Sequence, residues 1–468
     1  MSVATITELW RMSATELAEA IRSNQVSSRE VVEAHLRRIE EVNPSINAVT
    51  VVLAEQALDA AKAADRITTE GGQLPRFHGV PVTIKENIDL VGTPTTQGTK
   101  SLAQAYPSVD APDVERLRAA GAIPIGRTNL PTLGMRLHTD SELRGVTVNP
   151  WDRSRTPGGS SGGEAAAIAT GMSPLGLGND TGGSLRWPAQ CCGITTLKPT
   201  LGRIPHASSI EPADPPISSQ LMGVDGPLAR RVADLRAGLE VMAGVSWRDP
   251  WTVPAPLRGP AVPTRAAIVL DPAGLGAAPQ VQEGIRNAAA ALEDAGYGVD
   301  EIEPPSIGAA AKTALDMLNP DWHVWWEFMS STADPDTKRF MSALLEAVGE
   351  PDPLTTILSF MTRESLLRSW GEFQEGHPLI VAPVFTDAPF EVGKDMTARG
   401  VADIHRGMRM ALAVSALGLP AVALPVGFAE GLPQAVQVIG PRFREDLCLD
   451  AAEAIEDRLG IITPIDPR

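Results

Sequence analysis

The chain has 468 residues, 43% of them hydrophobic, enough to bury a large core, and a formal net charge of −17. That charge argues against nucleic acid or an anionic membrane as a partner, since both require basic surface, and no run of about 18 apolar residues is available to span a bilayer. Three cysteines, two of them adjacent at Cys191-Cys192, give no disulfide framework and fit a reducing cytoplasm.

Met1 to Trp10 lacks the basic and apolar regions of a signal peptide. Ser13-x-x-Glu16 and Ser27-x-x-Glu30 are capping-box patterns that predict two helices over residues 13–43. Val32, Leu36 and Ile39 recur at helical spacing in the second, and Asn43-Pro44 predicts its end. Residues 79–84 alternate and are rich in β-branched types, which predicts a strand ending at Lys85. Asp113 to Ala120 reads as a helix closed by Gly121, and Ala122 to Gly126 as a strand. This strand–helix alternation predicts an α/β fold with a largely parallel sheet.

Pro157 to Pro199 carries two glycine clusters, each holding serine: Gly158-Gly159-Ser160-Ser161-Gly162-Gly163 and Asp180-Thr181-Gly182-Gly183-Ser184. A flexible linker is the ordinary reading of Gly-Ser runs. Here the clusters are separated by a helix pattern, Glu164 to Thr170 ended by Gly171, and by an apolar strand or turn, Pro174 to Gly178. They therefore read as rigid loops that present hydroxyls, with glycine admitting torsions and close approaches closed to other residues. Farther on, Ala266 to Leu270 predicts a strand, residues 279–295 a helix, and the segment after Gly296 a strand. Residues 303–378 read as mostly helical. Leu379 to Pro383, Leu419 to Pro425 and Gly431 to Gly440 read as strands, followed by a helix to about residue 458.

The stretch from Pro157, with Gly178-x-Asp180-x-Gly-Gly-Ser184-x-Arg186-x-Pro188 and Gly193-x-x-x-Leu-Lys198-Pro199, closely resembles the amidase signature family. Gly79-Val80-Pro81-Val82-Thr83-Ile84-Lys85-Glu86-Asn87 resembles the same family's lysine segment. The resemblance covers nearly the whole chain. It implies one domain over 1–468: N-terminal helices to residue 65, a signature core over 66–230, and a variable helical region over 303–378 near the substrate entrance. The implied fold is a large mixed, twisted β-sheet flanked by helices on both faces.

The resemblance also implies chemistry: hydrolysis of amide C–N bonds, in some members of esters or carbamates, by a serine–serine–lysine triad with no cofactor. Residue by residue, Ser184 is then the nucleophile, Lys85 the base, and Ser160, after a cis peptide, the proton relay between them. The backbone N–H groups of Thr181, Gly182, Gly183 and Ser184 would form the oxyanion hole. The chemistry is coherent, because serine needs a base and lysine serves as one only when burial lowers its pKa. Ser161 reads as a hydrogen-bonding neighbour, Asp180 and Arg186 as loop scaffold, Lys198 as structural, and Cys191 and Cys192 as small buried apolar residues. Three positions depart from the family pattern: Asn179 for the usual Ser or Thr, Thr196 for Gly, and Arg127 for the commoner Lys.

Rival motifs are weak. Gly158-x-Ser160-x-Gly162 fits a nucleophile elbow, but the polar segment Asp152 to Pro157 supplies no strand before it. The seven histidines form no H-E-x-x-H pair and there is no C-x-x-C, so no metal is expected. The alternatives are an inactive binding protein on the same scaffold and a tRNA-amidotransferase-like glutaminase subunit.

Met317 to Met329 holds three of the nine tryptophans, Trp322, Trp325 and Trp326, at helical spacing. The ordinary reading is a buried amphipathic helix. The resemblance places this region near the substrate entrance, where these tryptophans, with Met135, would line an adaptable apolar wall. The expected partner is then a small neutral, hydrophobic amide or carbamate, bound by a monomer or homodimer.

Overall fold

Both capping boxes close as read: Ser13 caps the helix Ala14–Arg22 and Ser27 caps the helix Ser28–Ile46, each with reciprocal bonds to the glutamate three residues on. These belong to a computed structural model that describes residues 6–211, 213–331 and 333–468; Met1 to Thr5 of the segment read as lacking a signal peptide lie outside it. The second helix does not stop at Asn43-Pro44. It continues to Ile46 with Pro44 in its last turn and ends at Asn47, which is left-handed at φ 55°.

The strands in chain order are β1 (Val49–Val52), β2 (Pro81–Lys85), β3 (Ile123–Thr128), the short pair β4 (Asp140–Ser141) and β5 (Gly145–Val146), β6 (Leu175–Asp180), β7 (Thr195–Lys198), β8 (Val224–Ala229), β9 (Arg265–Ile268), β10 (Gly298–Glu301), β11 (Leu379–Pro383), β12 (Ala421–Ala429) and β13 (Leu432–Ile439). Eleven of them form one sheet in the order β1-β3-β2-β6-β8-β7-β12-β13-β11-β9-β10. The expectation of a largely parallel sheet is corrected here. Pairing is parallel only for β3-β2-β6 and β11-β9-β10, and every other neighbour is antiparallel. In the centre, β12 and β13 join by a tight hairpin, whereas β7 and β8 are separated by residues 199–223, with the helix Ile217–Met222 among them, and β7 pairs with β12 from the far C-terminal part of the chain, so the directions of these neighbours are set by tertiary pairing and not by successive strand–helix–strand units.

Helices cover both faces. Along β2, Val82 and Ile84 enter one apolar cluster, together with Leu175 and Leu177 of β6 and Val422 and Leu424 of β12. The opposite cluster takes Ala165 to Ala169, Trp187 and Ala423. The period-2 alternation of a strand therefore puts Thr83 and Lys85 on the side away from Val82 and Ile84. Thr83 Oγ1 donates to Glu164 on the helix Gly162–Ala169, so that side carries the serine-rich stretch. Residues 303–378 are helical as read: Ile307–Met329, Pro335–Val348 and Pro353–Gly376. Among the described residues, no helix is long and apolar enough to cross a membrane.

Candidate active site

Two loops meet at the end of β2. The first is Pro157 to Ser161, where Gly158 is left-handed at φ 84° and a Cβ on Gly159 would stand 2.5 Å from the Arg136 carbonyl. Glycine is required at both positions, by torsion at one and by close approach at the other. The Gly159–Ser160 peptide is cis. The second loop, Thr181 to Leu185, joins β6 to the helix Arg186–Cys192. The Ser161 N–H donates to the Ser184 carbonyl at 3.2 Å and stitches the two loops together. Ser161 Oγ donates to the Asn179 carbonyl at 3.3 Å, so this hydroxyl is a hydrogen-bonding neighbour, as its position suggested.

Lys85 is fully buried at the end of β2, and its Nζ lies 2.7 Å from Ser160 Oγ and 2.5 Å from Asn179 Oδ1. Burial pulls the ammonium down to about 7, against the carboxylates of Asp225, Asp180 and Glu164, which pull it up. Glu164 is itself buried, and burial lifts its carboxyl to about 7 despite hydrogen bonds from Thr128 and Thr83. Arg127 holds the turn beyond Lys85: its guanidinium donates to the carbonyls of Ile84, Lys85 and Ile88.

The Thr181 to Leu185 loop is shaped by Asp180. Its Oδ1 accepts from the Gly183 N–H at 2.7 Å and its Oδ2 from the Leu185 N–H at 3.1 Å, while Arg186 grips both oxygens at 3.0 Å. Burial pushes the Asp180 carboxyl up, but Arg186, Lys198 and the Leu185 N–H together outweigh it and hold the group at about 2. Asp180 and Arg186 are thus scaffold, as read. Gly183 departs from the expectation for the oxyanion hole, because its N–H is taken by Asp180. Among the described residues, the N–H groups of Thr181, Gly182 and Ser184 donate to no protein acceptor. Ser184 is partly exposed.

Not every residue of the expected apolar wall gathers. Gly134 sits against Ser160: a Cβ there would be 3.5 Å from Ser160 Oγ. Its neighbour Met135 packs with Trp322 and Trp326 on a cluster of Phe340, Met341, Leu344 and Val401. Trp322 also stacks on His405, ring centroids 5.9 Å apart and 8° from parallel. All three tryptophans are half-buried, which fits neither a fully buried core stripe nor an open surface. Trp325 joins none of the clusters that hold Met135, Trp322 and Trp326.

Glu164, Asn87 and Asp225 carry no sequence signal strong enough to single them out. Asn87 lies within the quoted lysine segment, and Asn179 stands out only as a departure from the family pattern. Nothing local marks Asp225, which faces Asn179 only through the antiparallel register of β6 and β8.

A buried lysine against a hydroxyl, beside a serine loop with open backbone donors, is the layout of an enzyme that transfers acyl groups. Residues 30–449 match the amidase family model, so the chain belongs to the amidase family and is a hydrolase of amide C–N bonds. It is 43% identical, over 97% of its own length and 88% of the relative's, to an indoleacetamide hydrolase of Bradyrhizobium diazoefficiens. It is 32% identical to a glutamyl-tRNA(Gln) amidotransferase subunit of Chloroflexus aurantiacus, covering 96% of this chain and 97% of that one. Among solved structures, a bacterial aryl acylamidase of the amidase signature family superposes with a TM-score of 0.82 at 25% identity over 96% of each chain. The 6-aminohexanoate cyclic dimer hydrolase gives the same TM-score at 27% identity, covering 97% of this chain and 98% of that chain.

Proposed function

We propose that the chain hydrolyses neutral, hydrophobic amides through a Ser184 acyl-enzyme, with Lys85 as base and Ser160 as relay, and that its preferred substrates are primary amides of aryl-acetic acids. The 2.7 Å contact between Lys85 Nζ and Ser160 Oγ, inside a site that draws the amine down to about 7, carries the mechanistic half. A neutral Lys85 accepts the Ser160 proton as Ser160 takes the proton of Ser184. Ser184 Oγ then attacks the carbonyl carbon. The N–H groups of Thr181, Gly182 and Ser184 are the donors available to the oxyanion, each such bond worth about 10²–10³ in rate. Return of the proton through Ser160 to the leaving nitrogen releases ammonia, and water repeats the sequence on the ester to free the acid.

The substrate half rests on the similarity to indoleacetamide hydrolase and on the apolar cluster of Met135, Trp322 and Trp326 that runs up to Gly134 beside Ser160. A flat ring suits such a wall, since aromatic and methionine side chains give large, adaptable apolar contact. Aryl carbamates present the same carbonyl to the same donors and belong to the expected range. The test is ammonia release from indole-3-acetamide, phenylacetamide, acetamide and glutamine, side by side, with Ser184→Ala as the blank. The reading expects kcat/KM for the two aryl-acetamides to exceed that for the other two by about tenfold or more. A preference for glutamine would favour the amidotransferase-like glutaminase instead.

A further inference from the structure

Lys85 Nζ has two polar partners of different kinds. Ser160 Oγ can give or take a proton, whereas Asn179 Oδ1 is an amide oxygen that only accepts. The Asn179 amide is held the right way round by its other end, where Nδ2 donates to Asn87 Oδ1 at 3.1 Å. Asn87 lies two residues beyond Lys85, and Asn179 lies on β6, the strand hydrogen-bonded beside β2. We infer that Asn179, fixed by Asn87, is a positioning residue for Lys85: by taking one amine N–H in every protonation state, it aims the lone pair of the neutral amine at Ser160.

The consequence follows from counting hydrogens. A neutral amine has two N–H groups and one lone pair. If one N–H is always committed to an oxygen that cannot donate, the lone pair is never quenched from that side. A serine or threonine hydroxyl at position 179 could donate into the lone pair and compete with Ser160. Asn179 removes that competition, and it does so without adding charge to a site already ringed by Asp225 on β8, Asp180 on β6 and Glu164 on the helix Gly162–Ala169. Arg127 reaches the Lys85 carbonyl rather than its amine, so it fixes the backbone and leaves the side chain to Asn179.

The inference rests on Lys85 being the base, and the experiment separates the two. Asn179→Leu removes the acceptor at similar volume. It is expected to lower kcat on indole-3-acetamide by about 10- to 100-fold, the cost of a misaimed catalytic group, with KM changed less than about threefold. Asn179→Asp keeps an acceptor but adds a negative charge beside the amine. It is expected to recover much of kcat at high pH and to move the acid limb of the kcat/KM profile up by about one to three pH units, since a nearby opposite charge favours the protonated amine. Asn87→Ala, which frees the Asn179 amide to turn, is expected to give a milder loss and little further loss when combined with Asn179→Leu. Circular dichroism and thermal melting check that each variant folds; a variant that does not fold is replaced by Asn179→Ser, for which the expected loss is smaller and the acid limb stays near the wild type. An unmoved acid limb in Asn179→Asp, with kcat within threefold of wild type in Asn179→Leu, overturns the inference. If Lys85→Ala also keeps wild-type kcat, the reading of Lys85 as base has failed. If Lys85→Ala is inactive while the Asn179 variants are not, only the positioning role has failed.

Discussion

Two lysines in this chain stand at the ends of sheet strands and are fully buried: Lys85 on β2 and Lys198 on β7. Burial draws both ammonium groups down to about 7. Their partners differ. Lys198 Nζ donates to two backbone carbonyls, Pro199 at 3.0 Å and Leu419 at 2.8 Å, neither of which can yield a proton. Lys85 faces the Ser160 hydroxyl and the Asn179 amide. A depressed pKa alone therefore does not single out Lys85 for the role of base proposed above. The hydroxyl within hydrogen-bond reach, on a loop stitched to Ser184, is what separates the two sites.

The sharpest break in this comparison is mutational. Ser184→Ala and Lys85→Ala are each expected to lower kcat by about 10⁴-fold or more, because the groups act as a unit. Lys198→Met is expected to leave kcat within about tenfold and to act on stability instead, by about 1–3 kcal/mol, since it strands two buried carbonyls. Steady-state kinetics with parallel denaturant melts reads both. If Lys198→Met abolished turnover in a folded protein, the division between the two lysines would collapse. Ser160→Ala is expected to cost less than loss of Lys85, about 10²–10³-fold, because water can take part of the relay. Equal losses would mean that Ser160 has no substitute.

The pH dependence comes next in size. Lys85 must be neutral to accept a proton, so kcat/KM is expected to rise through about pH 7 and then level off. An activity maximum well below pH 6 would count against an amine base. Stability carries the same sign for both lysines. With folded pKa values near 7 and ordinary values of 10.5, the unfolded chain binds more protons across that window, so their contribution to stability rises with pH there and is lost as pH falls through about 7. Chemical denaturation at several pH values follows this term, and Lys198→Met should flatten the slope.

The smallest effect concerns the apolar wall. Trp322→Ala and Trp326→Ala are expected to raise KM for indole-3-acetamide by about tenfold, the loss of roughly one buried aromatic contact, while acetamide changes little. Trp325, which joins none of these clusters, should matter less. Equal KM changes for both substrates, with a lowered melting temperature, would return the stripe to the core.

Much of the site was legible because it is local. Capping boxes, glycine clusters and the Pro-Val-Thr-Ile-Lys alternation are fixed by torsion preferences and side-chain periodicity within a few residues, so the helices at Ser13 and Ser27, the strand ending at Lys85 and the serine loops could all be read in order. The scaffold role of Asp180 and Arg186 was equally local, since six residues separate the pair. Pairing was not. Whether a strand runs parallel or antiparallel depends on partners hundreds of residues away, so the antiparallel centre of the sheet could not be read from strand–helix alternation. The Gly183 N–H went to Asp180 because a carboxylate three residues earlier folds back under the loop, a turn that composition does not specify. Asn179 reaches Lys85 across 94 residues of chain, Glu164 comes beneath Thr83 across 81, and Asp225 meets Asn179 by register. The sequence by itself determined which groups could do the chemistry; the packing of β2, β6 and β8 decided which of them share the buried, low-dielectric space in which a lysine can lose its charge.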